Sequence, residues 1–238
     1  MERARHLAGW LEEARRRAGA DWFVVGLSGG VDSAVTAALC KQAHPQVVGV
    51  IMPCHSQPED ERAAAEVARA LGIETLRFDL GPAYDALLAT YESVLGAQPE
   101  RSLARANLKP RLRMATLYFV ANVRNGLVVG TGNRSELYVG YFTKYGDGGV
   151  DLLPIGGLVK EEVYALARAL GLPRIVLEKP PSAGLWAGQT DEGEMGLRYA
   201  DLDRYLLTGQ GEAEVVERIE RMHRKAVHKL ELPPIAPS

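Results

Sequence analysis

Ser28-Gly29-Gly30-Val31-Asp32-Ser33 stands between a short apolar run, Trp22–Leu27, and a helical pattern that extends from about Asp32 to Gln42. The run is unbroken rather than alternating, as expected of a parallel strand buried on both faces. Two glycines at such a turn let backbone N–H groups approach a phosphate, and the helix that follows adds its free donors and positive dipole. Ser28 and Ser33 add hydroxyls. A plain strand-to-helix turn with an Asp or Ser cap would need only part of this. The loop is neither a GxxxxGK[ST] nor a GxGxxG motif, so the familiar lysine-bearing and dinucleotide loops are excluded.

The rest of the chain repeats the strand–helix alternation. Val47–Met52 reads as a second buried strand, Glu74–Leu80 as a third and Leu127–Thr131 as a fourth. Between them lie helical patterns over Glu59–Leu71, over 82–95 and over 108–123, the last carrying Leu108, Leu112, Ala115, Phe119 and Val123. Pro110 suits only a first turn, so that helix is expected to start near Lys109 or to kink there. Further helices follow around Val163–Leu170 and Val215–Leu230, and residues 132–160 and 180–194 show little periodicity. Irregular stretches that long in a compact fold are commonly functional loops. Alternation of this kind predicts an α/β protein, a Rossmann-like doubly wound parallel sheet flanked by helices. No linker divides residues 1–238, so a single domain is expected.

Composition narrows the partners. With 28 Lys plus Arg against 30 Asp plus Glu the net charge is -2, which argues against a large nucleic-acid surface. No apolar stretch reaches the roughly 18 residues of a membrane span, and the first twenty residues, charged throughout, do not read as a secretory signal. Cys40 and Cys54 form no CxxC or disulfide framework. A reduced, cytoplasmic location is the expectation. The 238 residues can bury roughly 70–75% of the unfolded surface, enough for a core without staples. Residues 1–20 read as an amphipathic helix whose apolar stripe, Trp10 included, fits either the core or a dimer surface.

Several segments then carry a resemblance. They are Asn107–Met114 (NLKPRLRM), Thr131–Glu136 (TGNRSE), Gly140–Asp151 (GYFTKYGDGGVD), Leu158–Lys160, Pro180–Trp186 (PPSAGLW), Gly188–Glu192 (GQTDE) and His228-Lys229. The loop alone resembles that of the ATP pyrophosphatases, which cleave ATP between its α- and β-phosphates. The whole set resembles the ammonia-dependent NAD synthetases over about residues 22–230. That resemblance implies adenylation of the nicotinate carboxylate of deamido-NAD, loss of pyrophosphate, and attack of ammonia to give NAD and AMP. It implies that Gly26, Leu27, Ser28, Gly29, Gly30, Val31, Asp32 and Ser33 hold ATP phosphates, with Thr131, Lys160 and Ser182 also contacting ATP. Asp32 and Glu136 would coordinate Mg²⁺. Arg111, Lys144, Asp151, His228 and Lys229 would bind deamido-NAD. Asp147 and Lys160 would be catalytic, Asp147 capturing ammonium and accepting a proton. The family forms homodimers. The chain carries no glutaminase portion, so free ammonia is the expected donor unless a separate glutaminase docks.

Residue type alone leaves blander readings open. Asp147 within Gly-Asp-Gly-Gly suits a turn, Glu136 an exposed helix position, Lys160 a solvated first turn, and His228 the surface of an amphipathic helix. A sister synthetase, a tRNA-modifying enzyme or a non-catalytic nucleotide-binding module would share the loop. Neither the net charge nor the Lys160, Glu136 and acidic-glycine combination fits the last two.

Overall fold

The computed structural model describes residues 1–182, 184 and 188–236. In chain order the elements are α1 (Glu2–Ala18), β1 (Trp22–Gly26), α2 (Val31–Ala43), β2 (Val47–Ile51), α3 (Pro58–Leu71), β3 (Glu74–Arg77), α4 (Gly81–Leu95), α5 (Leu103–Arg124), β4 (Gly126–Val129), α6 (Arg134–Val139), α7 (Lys160–Ala169), α8 (Arg174–Glu178), α9 (Asp191–Met195), α10 (Tyr199–Thr208) and α11 (Ala213–Leu230). The strands form one parallel sheet in the order β3-β2-β1-β4.

The unbroken apolar strands are buried on both faces because successive side chains point to opposite sides. Phe23 and Val25 face α1, α2, α3, α7 and α8 through Leu11, Val35, Val67, Val163 and Val176. Val24, Val48, Val50 and Val128 face α4 and α5 through Tyr84, Val120 and Ala121. The doubly wound expectation therefore holds. A third cluster, Val139, Met195, Leu197, Tyr199, Leu202 and Ile219, joins α6, α9, α10 and α11. Gly140 lets α11 come this close: its φ is +70°, and a Cβ there would stand 2.3 Å from the Ala226 Cβ.

Several expectations need correction. The third strand stops at Arg77, three residues short of Leu80, and lies exposed at the sheet edge. Helix α5 begins at Leu103 and carries Pro110 within it. Its start is secured by Ser102, whose hydroxyl accepts from the Arg105 N–H at 3.4 Å. The stripe read along α5 is only partly core: Leu108 and Leu112 pack inward, whereas Phe119 and Val123 are 68% and 69% exposed. The supposedly irregular segments hold α6 and α9, each five or six residues long and too short to show periodicity.

Candidate active site

The loop sits at the C-terminal end of β1, where the chain's strand order reverses between β1 and β4, the place where open α/β sheets bind ligands. Gly29 has φ +75°, and a Cβ on it would lie 2.4 Å from the Asp60 carbonyl oxygen at the start of α3. Only glycine meets both demands. The serines shape the turn. The Ser28 hydroxyl accepts from the Gly30 N–H at 3.3 Å and donates to Ser33 Oγ at 3.2 Å, while Ser33 Oγ donates to the Gly30 carbonyl at 2.9 Å. Gly30 is the N-cap of α2, so the helix's free donors open beside Ser28.

Next to the loop three charged side chains converge from separate elements. Lys160 Nζ lies 2.5 Å from Asp32 Oδ2 and 3.1 Å from Glu136 Oε1. Lys160 is 3% exposed, which rules out the solvated first turn. Local structure aims each member. Asn133 caps α6, its Oδ1 accepting from the Glu136 N–H at 3.0 Å, and Glu136 Oε2 accepts back from the Asn133 N–H at 3.3 Å. The Asn133 amide donates to Asp32 Oδ1 at 2.9 Å. The first turn of α7 is docked from outside: Lys160 N–H donates to Ser135 Oγ at 3.1 Å and Glu161 N–H to Asp203 Oδ2 at 2.8 Å.

Burial opposes the Lys160 charge, but Asp32 and then Glu136 outweigh it, and its pKa rises. Burial raises the Glu136 carboxyl; Lys160 pulls it down and Asp32 pushes it further up, for a net rise. Among the described residues no three or more His, Cys, Asp or Glu side chains are grouped to hold a metal alone. Asp32 and Glu136 nevertheless fit Mg²⁺ on a polyphosphate, which takes one or two carboxylates and completes its shell with phosphate oxygens and water.

A cavity of about 610 Å³ opens from the loop across α5 and the 140–150 segment. It brings together Gly26, Leu27, Ser28, Arg111, Lys144, Asp147, Ser182, His228 and Lys229. Lys229 Nζ donates to the carbonyls of Gly140 and Phe142, both at 2.8 Å, Lys144 Nζ donates to the His228 carbonyl, and Arg111 reaches the Lys144 carbonyl at 3.4 Å. Asp147 combines both readings given for it. Its Oδ1 accepts from the Thr143 N–H at 2.9 Å, as a turn former does, yet it lines the cleft. The surrounding protein pushes its carboxyl upward against two backbone donors, and its exposure to the cleft tempers that push. A side cavity of about 140 Å³ shares Asp147, Phe142 and Lys229 with the cleft and has Glu136 in its far wall.

Gly29, Gly30, Val31, Asp32, Ser33 and Lys160 are not on the lining of the main cavity, which the loop meets through Gly26, Leu27 and Ser28, and two further residues lie apart from both the cavity and the Lys160 cluster. Thr131 is half-buried after β4, off the cleft wall. Asp151 accepts from the Tyr118 hydroxyl at 3.0 Å and from the Val128 N–H at 2.8 Å, tying β4 to α5. Of the Pro180–Trp186 motif, Ala183, Leu185 and Trp186 lie outside the described residues. Lys109 is buried with its ammonium 5.6 Å from the Tyr84 ring centre. Lys179 was not singled out by sequence, but it lines the cleft and pairs with Asp60 at 2.7 Å. Its position directly before Pro180-Pro181-Ser182 was the available signal. Tyr199 and Asp191, buried against the Lys160 cluster, were missed as well.

A glycine phosphate loop at the switch point, a lysine held between two carboxylates beside it, and a cationic cleft leading away define a nucleotide-cleaving α/β enzyme of the ATP pyrophosphatase kind. The NAD synthase family model matches residues 3–233, and the chain belongs to that family. It is 54% identical over 235 residues to the NH(3)-dependent NAD(+) synthetase of Carboxydothermus hydrogenoformans, covering 98% of this chain and 96% of that one. Among solved structures it superposes on an NMN synthetase from Francisella tularensis with a TM-score of 0.94 at 40% identity, over 99% of this chain and 97% of the other. An NH3-dependent NAD synthetase from Campylobacter jejuni, solved with nitrate, gives 0.81 at 28% identity, over 99% and 98%.

Proposed function

We propose that the protein amidates the nicotinate carboxylate of deamido-NAD with ammonia at the expense of ATP, the last step of NAD biosynthesis, with residues 1–238 working as one catalytic domain. The observation that carries this reading is one continuous cavity running from Ser28 of the phosphate loop to Arg111, Lys144 and Lys229. A carboxylate is a poor electrophile. Its oxygen attacks the α-phosphorus of ATP, the bond to the β-phosphate breaks, and pyrophosphate leaves. Ammonia then attacks the acyl carbon, AMP departs with the C–O electron pair, and nitrogen loses a proton to become the amide. The Ser28–Ser33 loop binds phosphates through backbone donors, and Ser182 faces the same space. Lys160 fixes the separation of Asp32 and Glu136 and adds positive charge where phosphate charge develops. Those two carboxylates would hold Mg²⁺, which when bound neutralises polyphosphate charge. Asp147 holds ammonium at the cleft wall and accepts a proton.

The test is a product assay with ATP, Mg²⁺ and ammonium, run in parallel with deamido-NAD and with nicotinate mononucleotide. Equimolar NAD, AMP and pyrophosphate are expected from the dinucleotide. ATP cleavage without amidated product overturns the acceptor assignment. The mononucleotide is included because of one observation: the superposition on the Francisella NMN synthetase exceeds that on the Campylobacter NAD synthetase. A higher kcat/KM for the mononucleotide would make this second reading the correct one. Glutamine in place of ammonium is expected to give no product unless a separate glutaminase is added. The two free cysteines are both buried, which suits a cytoplasmic site of action.

The working unit is a homodimer. Helix α5, which lines the cleft, also exposes Leu103, Phe119 and Val123, and the adjoining α4 exposes Tyr91, Val94 and Leu95. Exposed apolar residues concentrated on one helix pair mark an association surface. This favours the α4–α5 face over Trp10 of α1, which is 41% exposed with no second large apolar side chain exposed on that helix. Phe119→Glu with Val123→Glu should shift the sedimenting species from dimer to monomer; an unchanged dimer would place the surface elsewhere.

A further inference from the structure

The buried cluster beside the phosphate loop contains more acid than its two carboxylates require. Asp191, the first residue of α9, is 4% exposed and meets the cluster through the Tyr199 hydroxyl. Its Oδ2 accepts from the Tyr199 hydroxyl at 3.0 Å, while its Oδ1 is buried and makes no hydrogen bond of ordinary length; burial raises its carboxyl pKa, and the nearby Tyr199 and Tyr141 hydroxyls oppose that rise. The Tyr199 hydroxyl also lies 3.3 Å from Glu136 Oε1, the oxygen that Lys160 Nζ reaches at 3.1 Å. The Lys160 ammonium in turn stands 4.9 Å from the Tyr199 ring centre. One phenol thus touches the carboxylate and faces the cation. Tyr199 is itself fixed at the start of α10, its N–H donating to Glu192 Oε1 at 2.7 Å.

Asp191 has a second attachment. Its N–H donates to the Pro181 carbonyl at 3.1 Å, directly before Ser182 of the cleft wall. An unpaired buried carboxylate oxygen is costly, and an apolar side chain of similar shape would remove the cost. Departures of this kind from a well-satisfied core concentrate at working sites.

We infer that Tyr199 and Asp191 are positioning residues for the amidation reaction: the Tyr199 hydroxyl aims the Glu136 carboxylate, Asp191 backs that hydroxyl, and the pair ties the Asp32–Lys160–Glu136 cluster to the Ser182 segment. The inference rests on the amidation reading. The Tyr199 hydroxyl lies 3.0 Å from Asp191 Oδ2 and 3.3 Å from Glu136 Oε1, so Asp191 anchors the ring and sets where its hydroxyl stands against Glu136. Neither side chain lines the cleft or touches a reacting atom. Both act through Glu136 and Lys160.

The test uses the full chain with Tyr199→Phe, Asp191→Asn and the double variant. Three quantities are read: kcat and KM for the acceptor, the Mg²⁺ concentration at half-saturation of ATP binding at equilibrium without acceptor, and thermal stability. Tyr199→Phe should lower kcat about tenfold or more with acceptor KM little changed, as expected when a contact matters in the transition state rather than in binding. It should also raise the Mg²⁺ midpoint for ATP binding about fivefold, since the aim of a carboxylate ligand tunes its affinity for the metal. Asp191→Asn, nearly isosteric, should move both quantities the same way. The double variant should be no worse than the poorer single one, because the residues act as a unit. An unchanged kcat and Mg²⁺ midpoint with only a loss of stability would overturn the proposal, and so would additive effects. If the wild-type protein makes no NAD, the amidation reading fails separately, and the Mg²⁺ midpoint still decides whether Tyr199 and Asp191 aim Glu136.

Discussion

Replacing Lys160 by methionine is expected to slow adenylation about a hundredfold or more and to lower stability by about 3–5 kcal/mol. The side chain is nearly wholly buried, and its ammonium lies between Asp32 and Glu136. Methionine keeps the length and loses the charge. Two carboxylates then face each other in a buried site without the cation between them, which is the expensive way to break a buried ion pair. The catalytic loss follows from removing a preorganised positive charge beside the phosphates. Lys160 also carries a sign test. Its folded pKa is raised, so its contribution to stability is complete below the ordinary lysine value of about 10.4 and is lost as pH climbs through the folded value. Glu136, which burial already raises, loses in Lys160→Met the cation that pulls it down, so its pKa rises further, the folded state binds still more protons than the unfolded one, and the variant should gain stability more steeply than the wild type as pH falls from 7 to 5. Pyrophosphate release and thermal unfolding at several pH values check both statements. Normal acyl-adenylate formation would remove Lys160 from the chemistry.

The sheet and the phosphate loop were legible because their signals are local. An unbroken apolar strand, a glycine pair and a largely apolar helix sit within about twenty residues, and the structure places them together. Lys160 shows the other extreme. Nothing in Leu158–Lys160 announces a buried ammonium, and a cation in the first turn of a helix is mildly unfavourable. Its environment comes from Asp32, 128 residues away, and Glu136, 24 residues away. Only resemblance to a family carried that assignment. Tyr199 was invisible, and Asp191 stood in the GQTDE segment without a role, because what they do depends on packing between α9, α10 and α6, and two of these are too short for periodicity. Phe119 and Val123 misled for a related reason: helical spacing marks an apolar face without saying whether core or another subunit covers it. Of the two readings of Pro110, a helix start near Lys109 was wrong, because α5 begins earlier, at Leu103 behind the Ser102 cap, and carries the proline inside a helix held by the inward Leu108 and Leu112.

Asp32→Ala is expected to abolish Mg²⁺-dependent adenylation, a fall of about a thousandfold or more, while the fold survives. The contrast between two possible roles decides the reading. As an acid in the first turn of α2, Asp32 would contribute only about 0.3–1 kcal/mol through the helix dipole, and its loss would leave turnover intact. As a carboxylate facing the polyphosphate, it carries a charge for which alanine offers no substitute. The neighbours predict a protein that still folds. Lys160 keeps Glu136 as a partner at 3.1 Å, and the Asn133 Oδ1 bond that caps α6 does not pass through Asp32. What is lost is the acceptor for the Asn133 amide and one of the two carboxylates. Asp32→Asn separates these, because asparagine retains an oxygen for Asn133 and removes the charge. If the charge is what matters, the asparagine variant should be nearly as inactive as the alanine variant yet more stable than it, because it keeps the Asn133 contact while both lose a charge partner of Lys160. If Asp32 serves only to hold Asn133 and the α6 cap, asparagine should restore pyrophosphate release. A Mg²⁺ titration of pyrophosphate release in the three proteins separates the outcomes, and normal turnover in Asp32→Ala would end the case for Asp32 as a metal ligand.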